Sequence, residues 1–359
     1  MTEGLENVVA AETVLSEVDG AAGRLVIRGA LVEDLARHVR FAGMVHLLFD
    51  GFFAELPDEA TLARRLGEAR VAVFADVAAL DAKLIAAPPI EAIRALSARL
   101  PDGDDLATAL RLLAAPAVFT AAHARARAGL RPVVPDARLD HAADILRMMR
   151  DAPAAAEEIA ALDAYLVTVS DHGLNASTFA ARVVASTRAG LTSAVIAGLS
   201  ALKGPLHGGA PGPVIEMLDA IGDPDNARAW LEAALRRGER LMGFGHRIYR
   251  VRDPRADALK QAVRRLQRNA GRLAHAEAIE AAALAILRER KPDRSLETNV
   301  EFYTALLLEA LAFQPDAFTC VFAMGRTIGW IAHAREQLAS GKLIRPQSRY
   351  HGPEPLRAA

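Results

Sequence analysis

The spacing of apolar and polar positions changes character once along this chain. Residues 13–29 alternate with a period of two: Val14 and Val18 precede Asp19-Gly20, and Leu25-Val26-Ile27 follow Gly23. Successive strand side chains point to opposite faces, so this stretch predicts a small β-hairpin. From residue 31 onward the spacing is helical. Short helices are predicted over 31–39 and 44–49, the second ended by Gly51; Pro57-Asp58-Glu59 opens a longer one through Leu62, Leu66 and Val73. Pro88-Pro89 starts the next, and Pro101-Asp102-Gly103 closes it. Residues 104–130 hold one or two alanine-rich helices around Pro116, and a proline-marked loop at 132–135 precedes helices over 139–149 and 153–169.

In the second half, Ser177 is read as the cap of a helix through Val183 and Val184, and 191–202 is an apolar run that predicts a buried helix. Pro211 and Pro213 open a helix through Met217 and Leu218, proline being preorganised for the first turn. Asp223-Pro224 starts one that carries Trp230 and Leu235 to a stop at Gly238. Residues 255–290 form a long arginine-rich helical stretch broken near Gly271; the last helices cover 300–313 and 318–338, the latter closed by Ser340-Gly341. No segment supplies the repeated strand–helix alternation of a parallel sheet, so the fold class is all-α with a minor N-terminal hairpin.

Breaks in the helical pattern locate the candidate chemistry. His207 stands between Gly204-Pro205 and Gly208-Gly209, on a tight turn from a helix end to a helix start. The positive end of the following helix disfavours imidazolium there, so a neutral histidine able to donate a hydrogen bond is expected. His246 repeats the arrangement in Gly243-Phe244-Gly245-His246-Arg247, and Glu301 opens an apolar helix after Asn299-Val300. Taken singly, each has a plain structural reading: a histidine capping a turn, a carboxylate favoured at a helix N-terminus. Together, two histidines and a carboxylate at loop–helix junctions make an acid/base set.

Composition narrows the class. The 359 residues suggest two domains. With 52% apolar but only 5% aromatic residues, Ala, Leu and Val must fill the core, which favours close-packed helices. A net charge of −1 argues against a nucleic-acid surface, so an anionic ligand must be met by local arginines. The single Cys320 allows no disulfide framework and points to a cytoplasmic setting. Residues 1–19 lack the basic start of a signal peptide, and the longest uncharged run, 189–202, is shorter than the ~20 residues that span a bilayer. No membrane association is expected.

Four segments carry a family resemblance. Leu202-Lys203-Gly204-Pro205-Leu206-His207-Gly208-Gly209-Ala210, Gly243-Phe244-Gly245-His246-Arg247 with Asp253-Pro254-Arg255, and Asn299-Val300-Glu301-Phe302-Tyr303 resemble the active-site signatures of the citrate synthase family. Ser170-Asp171-His172-Gly173-Leu174-Asn175-Ala176-Ser177-Thr178 is similar to a fourth segment, and the likeness runs in order from Gly4 to Ser348. It implies a two-domain multihelical fold: a large domain from 1–209 and 312–359, a small domain from 210–311 that closes over it, and a homodimer of the short type. It also implies condensation of acetyl-CoA, as co-substrate, with oxaloacetate, through a mechanism that requires no metal and no permanently bound cofactor.

The resemblance assigns roles residue by residue. Glu301 falls on the base that deprotonates the thioester methyl, His207 on the donor to the enol oxygen, and His246 on the group that polarises the oxaloacetate carbonyl. His172, Arg255, Arg326 and Arg345 fall on the carboxylate cradle, Arg345 entering from the partner subunit; arginine forks suit carboxylates as lysine does not. Met242, Gly243, Phe244 and Gly245 resemble the loop that meets the CoA adenine, with Arg250, Arg252 and Lys260 available to its phosphates. The chain departs from the family twice, with Glu301 where Asp is usual and Pro211-Gly212 where Asn-Glu is usual. A 2-methylcitrate synthase using propionyl-CoA, and a poorly active paralogue that binds CoA or a di-acid, are the alternative expectations.

Overall fold

The two-residue periodicity at the N-terminus closes into a sheet of three strands rather than a two-stranded hairpin. The computed structural model describes residues 3–5, 8–208, 211–266 and 270–353. In it β1 (Ser16–Asp19) pairs antiparallel with β2 (Arg24–Ile27), Val18 opposite Leu25, and β2 pairs with a two-residue β3 (Ala30–Leu31). Leu25 and Ile27 are buried beneath this sheet. The third strand is too short for any periodicity to announce it.

Among the described residues sixteen α-helices follow: α1 (Val32–His38), α2 (Phe41–Phe49), α3 (Glu59–Val73), α4 (Ala82–Ala86), α5 (Pro89–Ser97), α6 (Leu106–Arg127), α7 (His141–Arg150) and α8 (Ala156–Thr168) in the first half. The second half holds α9 (Ala176–Ser186), α10 (Leu191–Leu202), α11 (Pro211–Ile221), α12 (Ala227–Arg236), α13 (Pro254–Arg265), α14 (Ala270–Arg290), α15 (Val300–Ala310) and α16 (Phe318–Ser340). The chain is all-α apart from the small sheet, as its pattern predicts. Side-chain caps explain several starts. Asp58 accepts from Thr61 N at 2.8 Å, Asp105 from Thr108 N at 2.8 Å, Asp253 from Arg255 N at 3.1 Å and Asn299 from Glu301 N at 3.0 Å.

Two expectations need correction, and two open ones are resolved. The cap of α9 is Asn175, whose Oδ1 accepts from the backbone of Ser177 and Thr178; Ser177 is not the cap. The pattern does not predict α4, a helix of five residues that ends just before Pro88-Pro89. The 104–130 segment is one continuous helix, α6, with Pro116 inside it and fully packed. The break in the arginine-rich stretch falls at Leu266, before Gly271, and the residues between α13 and α14 lie outside the described part. Gly209 and Ala210 of the His207 motif also lie outside it.

The core is organised on α6 and α16, each buried along most of its length. By length and composition α6 could span a membrane, but 83% of its most apolar window is buried among the other helices. Around α16 pack α6, α8, α9 and α10. Gly325 and Gly329 let α16 lie against the end of α8: a Cβ on Gly325 would stand 2.7 Å from the Leu166 carbonyl oxygen, and one on Gly329 would run into the Ser170 carbonyl. This approach puts Arg326 beside the 170–172 turn. A second group of helices forms where α11 and α13 pack on α15 and α12 on α14, and α13 joins it to α1 and α8.

Candidate active site

Four loop–helix junctions converge between these two groups. After α8 the chain turns through Ser170, Asp171 and His172, all buried. Asp171 is held by the Ser16 hydroxyl and by His333, whose Nε2 stands 3.2 Å from Asp171 Oδ1. His172 Nε2 lies 3.2 Å from the Tyr249 hydroxyl, and its ring meets the rings of His246 and Tyr249 edge-on, each with centroids 5.6 Å away.

The turn after α10 is tied by His207 N to Gly204 O at 2.9 Å and Gly208 N to Leu202 O at 2.9 Å. It delivers His207 Nε2 to within 2.8 Å of Ser177 Oγ, which also accepts from Trp330 Nε1 at 3.0 Å. The hydroxyl has one proton, and two acceptors lie within 2.8 Å: Asn175 Oδ1 and His207 Nε2. Asn175 Oδ1 already accepts two backbone N–H groups. Donation to His207 Nε2 therefore uses the hydroxyl best, and it leaves the imidazole proton on Nδ1.

His246 has the opposite tautomer. Its Nδ1 accepts from the backbone N–H of Ile248 at 3.1 Å and of Tyr249 at 3.2 Å, so the ring proton belongs on Nε2. The preceding loop is pinned to the segment before α15. Gly245 N donates to Glu297 O at 2.7 Å, Asn299 N to Gly243 O at 2.9 Å, and Asn299 Nδ2 to Gly245 O at 2.8 Å. Gly243 has φ +86°, and a Cβ there would stand 2.9 Å from the Phe302 ring. The same contacts thus set the loop of His246 and the first turn of Glu301.

The buried arginines complete the cluster. Arg255 is 3% exposed and pairs with Asp253 through two bonds, Nε to Oδ1 at 3.0 Å and Nη2 to Oδ2 at 2.8 Å. Asp253 Oδ2 also accepts from Val300 N at 3.1 Å, which ties Arg255 to the start of α15. Arg326, 1% exposed, donates Nε to the Val169 carbonyl at 2.6 Å, while its buried Nη2 has no hydrogen-bond partner among the described residues.

Burial and these cations set the charge states. Burial, with Arg326 and Arg247 nearby, lowers His207 to about 4. Burial and Arg255 lower His246 to about 4. Burial, Arg255 and Arg326 push His172 well below its ordinary range. All three imidazoles are neutral at pH 7. The neutrality expected of His207 has burial and the nearby arginines as its causes in the fold. Glu301 moves the other way, raised by burial to about 7 although Arg255 and Arg326 favour its charge. Burial also lowers Arg326 to about 10, leaving it a cation at neutral pH.

The structure therefore gathers His172, His207, His246, Glu301, Arg255 and Arg326 from residues scattered over half the chain. Arg345 is not brought in; it is exposed on the extended segment after α16. Among the phosphate candidates, Arg252 is engaged by Asp257 and Glu280, and Lys260 by Glu277 and Glu280. Arg250 is exposed and has no ion pair among the described residues. Ser177, Tyr249 and Asp253 were missed as site residues. Ser177 and Asp253 lie inside motif segments and Tyr249 between two of them, but a serine two places after an asparagine, or an aspartate before a proline, signals a cap first.

This arrangement can be set beside known proteins. The family model described as "Citrate synthase, C-terminal domain" matches residues 4–347. The chain belongs to the citrate synthase family. It is 38% identical to a citrate synthase of Haloferax volcanii over 376 residues, covering 99% of this chain and 97% of that one. It is 37% identical to a 2-methylcitrate synthase of Mycobacterium tuberculosis over 365 residues, covering 98% of this chain and 91% of the relative. Its fold superposes on a ternary complex of citrate synthase from Thermoplasma acidophilum with carboxymethyl coenzyme A and oxaloacetate, with a TM-score of 0.86 and 26% identity, covering 100% of this chain and 98% of that one. Family membership accounts for the order of the four motifs.

Proposed function

We propose that this protein condenses acetyl-CoA with oxaloacetate and water, giving citrate and CoA. The observation that carries the reading is the buried Arg326 guanidinium, whose Nη2 lacks a partner among the described residues, set among neutral histidines and a carboxyl raised to about 7. A carboxylate of a di-acid satisfies such a guanidinium, and Arg255 supplies a second buried cation. His246 Nε2–H then donates to the ketone oxygen and makes its carbon electrophilic. Glu301 takes a proton from the thioester methyl while His207 Nδ1–H donates to the forming enol oxygen. The enol carbon bonds to the ketone carbon, the ketone oxygen is protonated, and water cleaves the resulting thioester to release CoA.

The 210–311 segment serves as the small domain, moving on the large one to exclude water from the enol. Support comes from α11 and α13 packing on α15 and α12 on α14, with α13 reaching α1 and α8. The homodimer reading rests on Arg345, which is exposed and has no ion pair with its own chain among the described residues, and so is free to complete the partner's cradle. Arg250 is the best placed of the three cations for a CoA phosphate, since the other two are paired. For the adenine, the Met242–Phe244 backbone remains after Gly245 N–H and the Gly243 carbonyl are taken by the 297–299 segment. A cytoplasmic setting fits a lone cysteine, Cys320, held as a buried free thiol.

Likeness to a 2-methylcitrate synthase favours a second reading, propionyl-CoA as the co-substrate. One methylene in an apolar pocket discriminates by only about 1–3 kcal/mol, so the two are separated by measurement. Release of CoA thiol with acetyl-CoA and propionyl-CoA in parallel, with and without oxaloacetate, tests both. Oxaloacetate-dependent release is expected. No release with either thioester refutes the condensation, and a higher kcat/KM for propionyl-CoA assigns the second reading.

A further inference from the structure

Glu280 is a buried carboxylate that plays no part in the steps above. It lies on α14, is 5% exposed, and is saturated with donors. Oε1 accepts from Thr298 Oγ1 at 2.7 Å and Arg252 Nη1 at 2.9 Å; Oε2 accepts from the Tyr303 hydroxyl at 2.5 Å and Lys260 Nζ at 3.3 Å. Arg252 and Lys260 also lie over the Tyr303 ring, 5.9 and 5.2 Å from its centre.

These four partners belong to three segments of the site. Thr298 stands three residues before Glu301 and Tyr303 two residues after it. Arg252 directly precedes Asp253, which binds Arg255 and the Val300 N–H, and Lys260 is on the helix that Asp253 caps. One carboxylate thus holds both flanks of the base and the approach to the Arg255 pair. Burial works against its charge, yet Tyr303, Thr298 and Arg252 keep it below the usual carboxylate range. A buried ion cluster of this kind is weak as a source of stability, since well-packed apolar side chains serve as well. It is strong as a means of orientation.

We propose that Glu280 is a positioning residue for the condensation, fixing residues 298–303 through Thr298 and Tyr303 so that the Glu301 carboxylate meets the thioester methyl. The role rests on the citrate synthase-type reading above. Misplacing a reacting group by about an ångström costs on the order of a hundredfold in rate.

The test is Glu280→Gln in the full-length enzyme, with Thr298→Val and Tyr303→Phe as variants that each remove one arm. For Glu280→Gln we expect kcat to fall roughly tenfold to a hundredfold with oxaloacetate KM within about twofold. The primary isotope effect with methyl-deuterated acetyl-CoA should rise, because proton abstraction becomes slower than later steps. Hydrogen exchange across 296–304 should accelerate while α16 is unchanged. A loss of folded enzyme alone would lower the number of active sites and leave the isotope effect where it was; that result overturns the proposal. Wild-type kcat and isotope effect in Glu280→Gln overturn it too. Should that variant fail to fold, Thr298→Val and Tyr303→Phe must show the raised isotope effect, and wild-type values in both are refuting. Wild-type enzyme that releases no CoA refutes the parent reading and this role together, whereas an active wild type matched by its variants refutes this role alone.

Discussion

Replacing Glu301 by Gln should make the ligand-free protein more stable above neutral pH while abolishing condensation. Burial raises this carboxyl from an ordinary 4.5 to about 7 in the fold. A group with a raised folded pKa favours the folded state fully at pH below its unfolded value, and that advantage is lost as pH rises through the folded value. The shift corresponds to ~3 kcal/mol at pH above 7, against essentially none below pH 4.5. Glutamine has nearly the same shape and never ionises, so the penalty vanishes in the variant. Spread over the unfolding entropy of 359 residues, ~3 kcal/mol is about 4 °C in Tm. Scanning calorimetry of both proteins without ligand, from pH 5 to pH 8, should show the gap opening up to pH 7 and holding level beyond it. The kcat/KM of the wild type should rise along one limb centred near pH 7, with no limb from His207 or His246, which are neutral down to about pH 4. Equal Tm values at pH 8, or a gap that narrows as pH rises, would show that the fold does not raise the pKa of Glu301. Turnover at the wild-type rate in Glu301→Gln would end its assignment as the base.

Three further outcomes follow from the site. Arg326→Lys keeps the charge but loses the fork, so oxaloacetate KM should rise on the order of a hundredfold while acetyl-CoA KM stays within about twofold; an unchanged oxaloacetate KM removes Arg326 from the cradle. Arg345→Ala and His246→Ala, each inactive, should recover about a quarter of wild-type activity when subunits are mixed statistically, because half the dimers then carry one intact site. No recovery after verified exchange means that each site is built from one chain. Ser177→Ala removes the partner of His207 Nε2 and Trp330 Nε1, and kcat should fall by about tenfold with oxaloacetate KM unchanged, a loss of the size of one hydrogen bond; full activity would show that His207 keeps its tautomer unaided.

Local rules were enough for most of the helices and for the motifs. Asp58, Asp105, Asp253 and Asn299 cap the helices that follow them, because a cap is decided within four residues of chain. The N-terminal period of two and the apolar run of α10 were legible for the same reason. What required the third dimension was every choice between equivalent local signals. Asn175 and Ser177 are both good caps; packing of α9 on α16 gives the cap to Asn175 and turns Ser177 toward His207 and Trp330. Pro116 could have ended a helix, and the burial of α6 on all sides keeps it whole. Arg250, Arg252 and Lys260 look alike along the chain, until Glu280, 28 residues beyond Arg252 and 20 beyond Lys260, claims two of them. The neutral state of His207 has the same origin. Burial and the field of Arg326, more than a hundred residues away, lower its pKa, and only the packing of α16 against α8 brings that arginine near.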